Sequence, residues 1–313
     1  MSEFIVDKIT NKEGTSGPHI AGITTFSGTS GIVMPNGNSN TTKLPNGYIS
    51  DRITLYIDVS HPDSYTIGSS SITDIILGAK DAAFHGAPVY QKKDGVDSLY
   101  FDGSDDGIRM DSADAVAYMN TGDPLTFSTW VYLHPDQDLT SGPAGAAIMS
   151  MQQCNSPSFQ LWAGSSGSVR DHLYNLDGFI SFRVGNGDQY VVDSGKPDNP
   201  TLQTYKGQPA TAENLNGYIN RSGAWVNIVG TYEQRTAKLY INGRLVGTCI
   251  SLGAADYPSR SETATTLAFM NRHPCGSTAW NRGWFHMASV HRKVLNDAEV
   301  LQNYNALKGR FGL

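Results

Sequence analysis

The carboxylates restrict the chemistry of this chain most sharply. Glutamate occurs only at 3, 13, 213, 233, 262 and 299, and no two of these are spaced to share one strand face. A pair acting as acid and nucleophile, or acid and base, must face each other across a scissile bond. Glu233 follows Tyr232 at what reads as a hairpin turn, where a solvated side chain is expected. An aspartate pair assembled by folding stays open, although no spacing requires it. Asp102, Asp105 and Asp106 stand close together in Phe101-Asp-Gly-Ser-Asp-Asp-Gly107. Hard oxygen ligands gathered on a turn suit calcium, the candidate cofactor. Aspartate beside glycine also stabilises turns through side-chain to backbone hydrogen bonds, so both roles remain open. The eight histidines show no His-x-x-x-His or Cys/His spacing, which argues against zinc. His286 and His291 are expected on opposite faces of one strand, which excludes a shared ligand from that pair. Gly-x-Ser-x-Gly and a phosphate loop ending in Lys-Ser/Thr are both absent.

Aromatic residues supply the remaining chemistry. Trp130, Trp162, Tyr190, Tyr240, Trp280 and Trp284 include residues on faces opposite the apparent core. An exposed ring stacks on the C–H face of a sugar while its polar edge stays wet. Trp280, between Gly276 and Gly283, is the first carbohydrate-binding candidate, with Trp162 and Tyr240 beside it. In a two-layer sandwich most large aromatics are core, and each of these has that plainer role available.

The elements that would position these residues are mostly strands. Ile53, Leu55, Ile57 and Val59 alternate with polar or amphipathic neighbours, the pattern of a half-buried strand. Leu125, Phe127, Thr129, Val131 and Leu133 form one face of another, with Thr126, Ser128, Trp130 and Tyr132 opposite. Short strands are expected at 159–162, 179–184 and 189–192. A hairpin runs from Ala224 to Ile250 around Asn242-Gly243, the pair a type I′ turn favours. Leu239, Ile241, Leu245 and Gly247 are expected to face inward. A last strand pair is expected over 265–270 and 284–291. Asn296 and Glu299 form a capping-box pattern ahead of Val300, Tyr304 and Leu307, which predicts a helix over about 297–308 with Gly309 after it. Many short strands and one short C-terminal helix predict an all-β, two-sheet antiparallel β-sandwich of jelly-roll type over 51–313. The polar segments 134–147, 164–177 and 193–223 would be long loops.

Residues 1–50 differ. They are rich in Gly, Ser and Thr, with isolated Ile20, Ile23, Phe26 and Ile32, and lack the apolar density for a core of their own. They are expected to form an extended arm whose spaced apolar residues dock on another subunit. A net charge of −6 argues against a nucleic-acid partner, which needs clustered Lys and Arg. No run approaches a membrane-spanning length, and Met1 to Thr10 lacks the pattern of a signal peptide. Cys154, Cys249 and Cys275 are too few and too far apart for a disulfide framework, and Cys249 reads as a small buried hydrophobe.

Four segments together resemble the laminin-G-like branch of the concanavalin A-like lectin and glucanase superfamily. They are Leu55 through Tyr65, Leu99-Tyr-Phe-Asp-Gly-Ser-Asp-Asp-Gly-Ile-Arg109, Leu125 through Val131, and Trp225 through Thr231 with Lys238 through Gly247. The resemblance covers about 51–313 and implies a concanavalin A-like sandwich. Glucanases on this fold resemble enzymes with a Glu-x-Asp-x-x-Glu strand, which is absent here. The ends, Val300 to Leu313, Ile9 to Pro18 and Ile23 to Gly28, look like those of lectin-like structural proteins of tailed phages, particularly cyanobacterial ones. That resemblance implies a non-enzymatic virion protein, assembled in the host cytoplasm and displayed on the particle exterior as capsid decoration, fibre or tail appendage. Its partners would be other virion proteins, through the arm, and host-surface polysaccharide. A homo-oligomer is expected, with a trimer suited to a fibre. A glycan depolymerase and a purely architectural cement are the alternatives.

Overall fold

A computed structural model describes residues 43–76, 80–110, 124–134, 146–153, 156–163, 180–184, 189–193, 223–233, 236–249, 266–271 and 280–313. Ile20, Ile23, Phe26 and Ile32, together with Cys154, Cys275 and most of the three long polar segments, lie outside these residues.

Two antiparallel sheets face each other. The first contains β1 (Ile53–Asp58), β4 (Val89–Lys93), β5 (Val96–Asp102), β7 (Leu125–Leu133), β12 (Trp225–Glu233), β13 (Thr236–Ile241), β14 (Arg244–Cys249) and β16 (Arg282–His291). Its order is β14-β13-β12-β7-β16-β5-β4, and β1 pairs with β16 beyond the end of β5. The second contains β2 (Ser71–Asp74), β3 (Lys80–His85), β6 (Gly107–Met110), β8 (Ala146–Gln153), β9 (Ser156–Ala163), β10 (Ile180–Val184), β11 (Gln189–Asp193) and β15 (Thr266–Phe269). Its order is β11-β10-β9-β8-β15-β6-β3-β2.

Alternation explains the layering. In β7, Leu125, Phe127, Val131 and Leu133 enter the space between the sheets, where they meet Phe159, Leu161, Phe182, Leu267 and Phe269 of the second sheet. Each such buried side chain contributes about 1.5–3 kcal/mol. Gly230 is required here, because a Cβ at that position would run into the Phe182 ring.

The first sheet is covered on its outer face as well. Helix α1 (Asp297–Leu307) and a 3₁₀ turn (Lys308–Phe311) lie across it, so β7 is buried along its whole length and β1 is not half-buried as its alternation predicts. The helix starts at the expected cap. Asn296 Oδ1 accepts from the amides of Ala298 and Glu299 (both 3.0 Å), and Glu299 Oε2 accepts from Asn296 N (2.9 Å). It ends one residue earlier than expected. Gly309 lies inside the 3₁₀ turn, and Gly312, at φ 71°, takes the left-handed position.

Four other sequence expectations are corrected. Residues 43–50 belong with the sandwich rather than with the arm: Tyr48 shares a 2.8 Å hydroxyl bond with Ser289, and Ile49 N donates to Asn303 Oδ1 (2.7 Å). The strands β15 and β16 are in different sheets. Met270, at φ 61°, turns the chain out of β15, and Asn281 N donates to its carbonyl (2.9 Å) just before β16 begins. In the Asn242-Gly243 hairpin, positive φ at both residues fits the expected turn, but a bulge at Leu239/Tyr240 shifts the parity. Val246 therefore enters the core, while Leu245 packs outside with Val229 and Tyr240. A second bulge, between Phe285 and Met287, puts His286 and His291 on the same face. Both contact the outer cluster, through Phe311 and Tyr48 respectively, and β1 runs alongside the strand between them.

Candidate functional site

The outer face of the first sheet has two halves. Over its centre the C-terminal turn closes it: Phe311 stacks on Trp130 at 3.9 Å and 6°, and Tyr304 lies against the same ring at 5.6 Å. Toward the β4 edge the cover ends. There the register lines up Val89, Tyr100, Trp284, Tyr132 and Trp225 on five consecutive strands. At about 4.8 Å per strand this row is about 19 Å long. Ring centroids are 4.9 Å apart for Tyr100 and Trp284, 5.2 Å for Trp284 and Tyr132, and 5.8 Å for Tyr132 and Trp225. Burial deepens along it, from Val89 at 59% exposed to Trp225 at 4%.

Polar groups frame the row. Trp284 Nε1 donates to Gln91 Oε1 (2.7 Å), and Arg282 Nε donates to the Tyr100 hydroxyl (3.1 Å). The Lys93 ammonium sits 4.4 Å above the Tyr132 ring and 5.2 Å from Trp284, while His134 stacks on Trp284 at 5.6 Å. Rings with edges already oriented by hydrogen bonds are pre-organised for a flat, hydroxylated ligand. Trp284 belonged to the aromatic set named from sequence. Tyr100, Tyr132 and Gln91 did not, because strand register brings them together and no local motif encodes it.

Trp280 lies on the opposite side of the sandwich. It is partly exposed, stacks on His85 at 5.5 Å and 23°, and has the Arg109 guanidinium 5.9 Å from its ring centre. The other two sugar-binding candidates are buried, each 1% exposed, and present no ring face to solvent. Tyr240 packs with Val229, Leu295 and Val300, and its hydroxyl donates to Asp297 Oδ1 (2.8 Å). Trp162 packs against Ala147.

Asp102, Asp105 and Asp106 converge, with one ligand atom from each within 4.8 Å of the others. The carboxylate oxygens of Asp102 and Asp106 already serve the turn that joins β5 to β6. Asp106 Oδ1 accepts from Ala87 N (2.7 Å) and Oδ2 from Asp102 N (3.1 Å), while Asp102 Oδ1 accepts from Ser104 N (2.7 Å). Gly86 and Gly103, both at positive φ, allow the close approach. Burial raises the Asp106 pKa above its ordinary value despite the two amide bonds. The donor set suits a hard cation such as calcium through the remaining lone pairs, yet the turn is satisfied by its own hydrogen bonds.

Elsewhere the buried charges serve structure. Asp58, 1% exposed, accepts from Arg310 Nη1 (2.7 Å) and Ser60 Oγ (2.6 Å) and faces His286 Nε2 at 3.6 Å. Burial opposes its ionisation, but His286, Arg310 and Ser60 outweigh that and hold it below the usual carboxylate range. Burial also lowers the His286 pKa, so near neutral pH the compensating charge is that of Arg310. Glu299 is engaged by the helix cap and by Lys293 (2.7 Å), and Glu233 is exposed at the end of β12, as expected.

Comparison with solved structures gives the same architecture at low identity. The binding domain of botulinum neurotoxin serotype D/C aligns with TM-score 0.51 and 13% identity over 82% of this chain and 52% of its own. A structure describing type C neurotoxin cell entry through two ganglioside molecules aligns with TM-score 0.51 and 14% identity over 82% of this chain and 51% of its own. This chain therefore spans about half the length of the toxin chains it matches. Domain 4 of an extracellular arabinanase from Geobacillus stearothermophilus, solved with arabinotriose, aligns with TM-score 0.50 and 12% identity over 81% of this chain and 98% of its own. No curated protein matches the sequence. A laminin-G-like family model matches residues 102–301, more than half of the chain, and by that match the protein belongs to the concanavalin A-like lectin/glucanase superfamily.

Proposed function

We propose that this protein is a non-enzymatic adhesion module, a phage virion component whose sandwich meets host-surface polysaccharide. The observation that carries the sugar-binding part is the open row Val89–Tyr100–Trp284–Tyr132–Trp225 with its frame of Gln91, Lys93, Arg282 and His134. Aromatic faces flanked by amide, hydroxyl and guanidinium groups match the alternating C–H and O–H surfaces of a sugar chain. The arabinotriose complex of one structural neighbour, and the dependence of another's cell entry on two ganglioside molecules, agree with this reading. The lack of a Glu-x-Asp-x-x-Glu strand, with Glu299 occupied in a helix cap and Glu233 alone, favours binding over cleavage.

The virion setting rests on the terminal segments. In this reading residues 1–42, through Ile20, Ile23, Phe26 and Ile32, attach the chain to other virion proteins. Several copies, as in a trimeric fibre, would multiply weak sugar contacts into useful avidity. Immunogold localisation on intact particles tests the setting: surface labelling that disappears on deleting residues 1–42 supports it, and unlabelled particles refute it. A glycan array with the native protein and Trp284→Ala tests the adhesion. Binding that the substitution removes is expected. Release of reducing ends from host envelope would instead establish a depolymerase, and particles that adsorb normally without the sandwich would establish a cement.

A further inference from the structure

On the outer face of the second sheet, four residues share a small area. His85 pairs with Gly107, and Ala83 pairs with Arg109, across β3 and β6. Ala83 and His85 are exposed, and Trp280 lies over His85 and Arg109. His85 is fixed in place by donation from Nδ1 to the Asp105 carbonyl (2.8 Å).

Beneath this surface are polar atoms that the protein leaves unsatisfied. The Arg109 Nε is buried without a hydrogen-bond partner. Burial also lowers the Arg109 pKa, and no carboxylate opposes that effect. Asn271 is fully buried, and neither its Oδ1 nor its Nδ2 is bonded. It packs where a Cβ on Gly107 would stand, which places it beside Arg109 on this same face. Asn281, next to Trp280 in sequence, is also fully buried with both side-chain atoms unbonded. An unpaired buried polar group costs about 1–3 kcal/mol, and more where it is charged. Among the described residues these side-chain atoms have no hydrogen-bond partner, and Arg109 lies directly beneath a partly exposed tryptophan.

We infer that Arg109, Asn271 and Trp280 form a binding site for a carboxylate-bearing sugar residue, a uronate unit of an acidic polysaccharide. The guanidinium fork matches a carboxylate in two parallel hydrogen bonds. Asn271, fully buried behind Gly107, backs the site from within, and the partly exposed indole receives the sugar ring. Exposed Ala83, the ladder partner of Arg109 on β3, leaves room on that side of the guanidinium. This rests on the sugar-binding reading above and deepens it, since it names the charge of one unit in the chain. The site lies on the opposite sheet from the Trp284 row, so the two can be tested separately.

The test is a titration of the full chain, ¹⁵N-labelled, with glucuronate, glucose and acetate, following the Arg109 Nε–H and the tryptophan indole resonances. Arg109→Lys assigns the first signal and Trp280→Ala probes the platform. Glucuronate is expected to shift the Arg109 and Trp280 signals together in a saturable manner. Each substitution is expected to weaken binding about tenfold, or about 1.4 kcal/mol. Glucose that shifts the Trp284 indole, while glucuronate leaves Arg109 unmoved, would overturn the uronate site and retain the sugar-binding reading. Acetate acting as strongly as glucuronate, with no effect of Trp280→Ala, would reduce the site to a bare anion contact and also overturn the proposal. No response of any aromatic signal to either sugar would overturn both.

Discussion

Trp130 and Trp284 belong to adjacent strands of one sheet and point to the same side, yet their surroundings differ completely. Trp130 is fully buried between strand and C-terminus, with Phe311 at 3.9 Å and Tyr304 at 5.6 Å. Trp284 is partly exposed, and its indole N–H is held by Gln91 on the edge strand. The difference comes from what the last residues cover. One stacked ring pair serves the fold, while the open end of the row, Tyr100 and Trp284, is left for a ligand and its buried end, Trp225, packs on Phe311 at 5.1 Å. Aromatic side chains on a sheet's outer face are thus sorted into core and site by a short terminal element.

The largest test of this division removes the cover. Phe311→Ala is expected to cost about 3–5 kcal/mol, the range for deleting a buried aromatic ring, in urea unfolding monitored by circular dichroism. Glycan affinity of the remaining folded protein should change little, because Phe311 touches the row at its buried end, Trp225, while the open end is separately framed by Gln91, Lys93 and Arg282. A loss of affinity at full folding would show that the two halves are coupled.

Acid attacks the covered half in the same way. Burial lowers the His291 pKa to about 4, and its Nε2 donates to the Ile49 carbonyl (3.0 Å) that holds the entering chain. The unfolded chain therefore takes up the proton first. The contribution is full above about pH 6.5 and is lost as pH falls toward 4, roughly 3 kcal/mol in total. His286, lowered by burial, acts in the same direction, and Asp58 adds its loss at still lower pH as its depressed carboxyl protonates. Thermal midpoints measured from pH 7 to 4 should fall steadily, and His291→Gln should flatten the slope. A midpoint insensitive to pH across that window would contradict the buried neutral imidazole.

Trp284→Ala makes the opposite change. Glycan affinity should drop about tenfold, while stability falls by about 1 kcal/mol, the scale of aromatic contacts beyond area burial. A large stability loss with unchanged affinity would place Trp284 with Trp130 as a structural ring.

Much of the sandwich was legible because strand alternation is local. The strands β7, β10 and β12, the Asn242-Gly243 turn and the Asn296 cap all follow from neighbouring residues and appear where expected. What alternation could not show was the second cover over the first sheet, so β1 and β7 read as half-exposed. Bulges were equally hidden: one extra residue at His286 reverses a parity argument, and another exchanges Leu245 for Val246. Of the three aromatic candidates, Trp280, two residues ahead of β16, is the one that is partly exposed. Tyr240 and Trp162 follow strand parity, but Tyr240 meets the helix over the first sheet and Trp162 is buried against Ala147 on the second. The Tyr100–Trp284–Tyr132 row needed the pairing of β16 with strands about 150 and 180 residues earlier in the chain.

The smallest effect is expected at the turn joining the sheets. Asp106→Asn keeps an acceptor for Ala87 N and weakens the one for Asp102 N, so it should cost about 1 kcal/mol, one ordinary hydrogen bond. Calcium or a chelator should leave the native thermal midpoint where it is, because the amides of Ala87, Asp102 and Ser104 already occupy Asp106 and Asp102, two of the three aspartates that calcium would use. A midpoint that rises with calcium, and no longer does so in Asp106→Asn, would reverse this assignment. The turn would then join the open half of the molecule as a cation site, and the division between covered fold and exposed chemistry would have to be drawn through Asp106 itself.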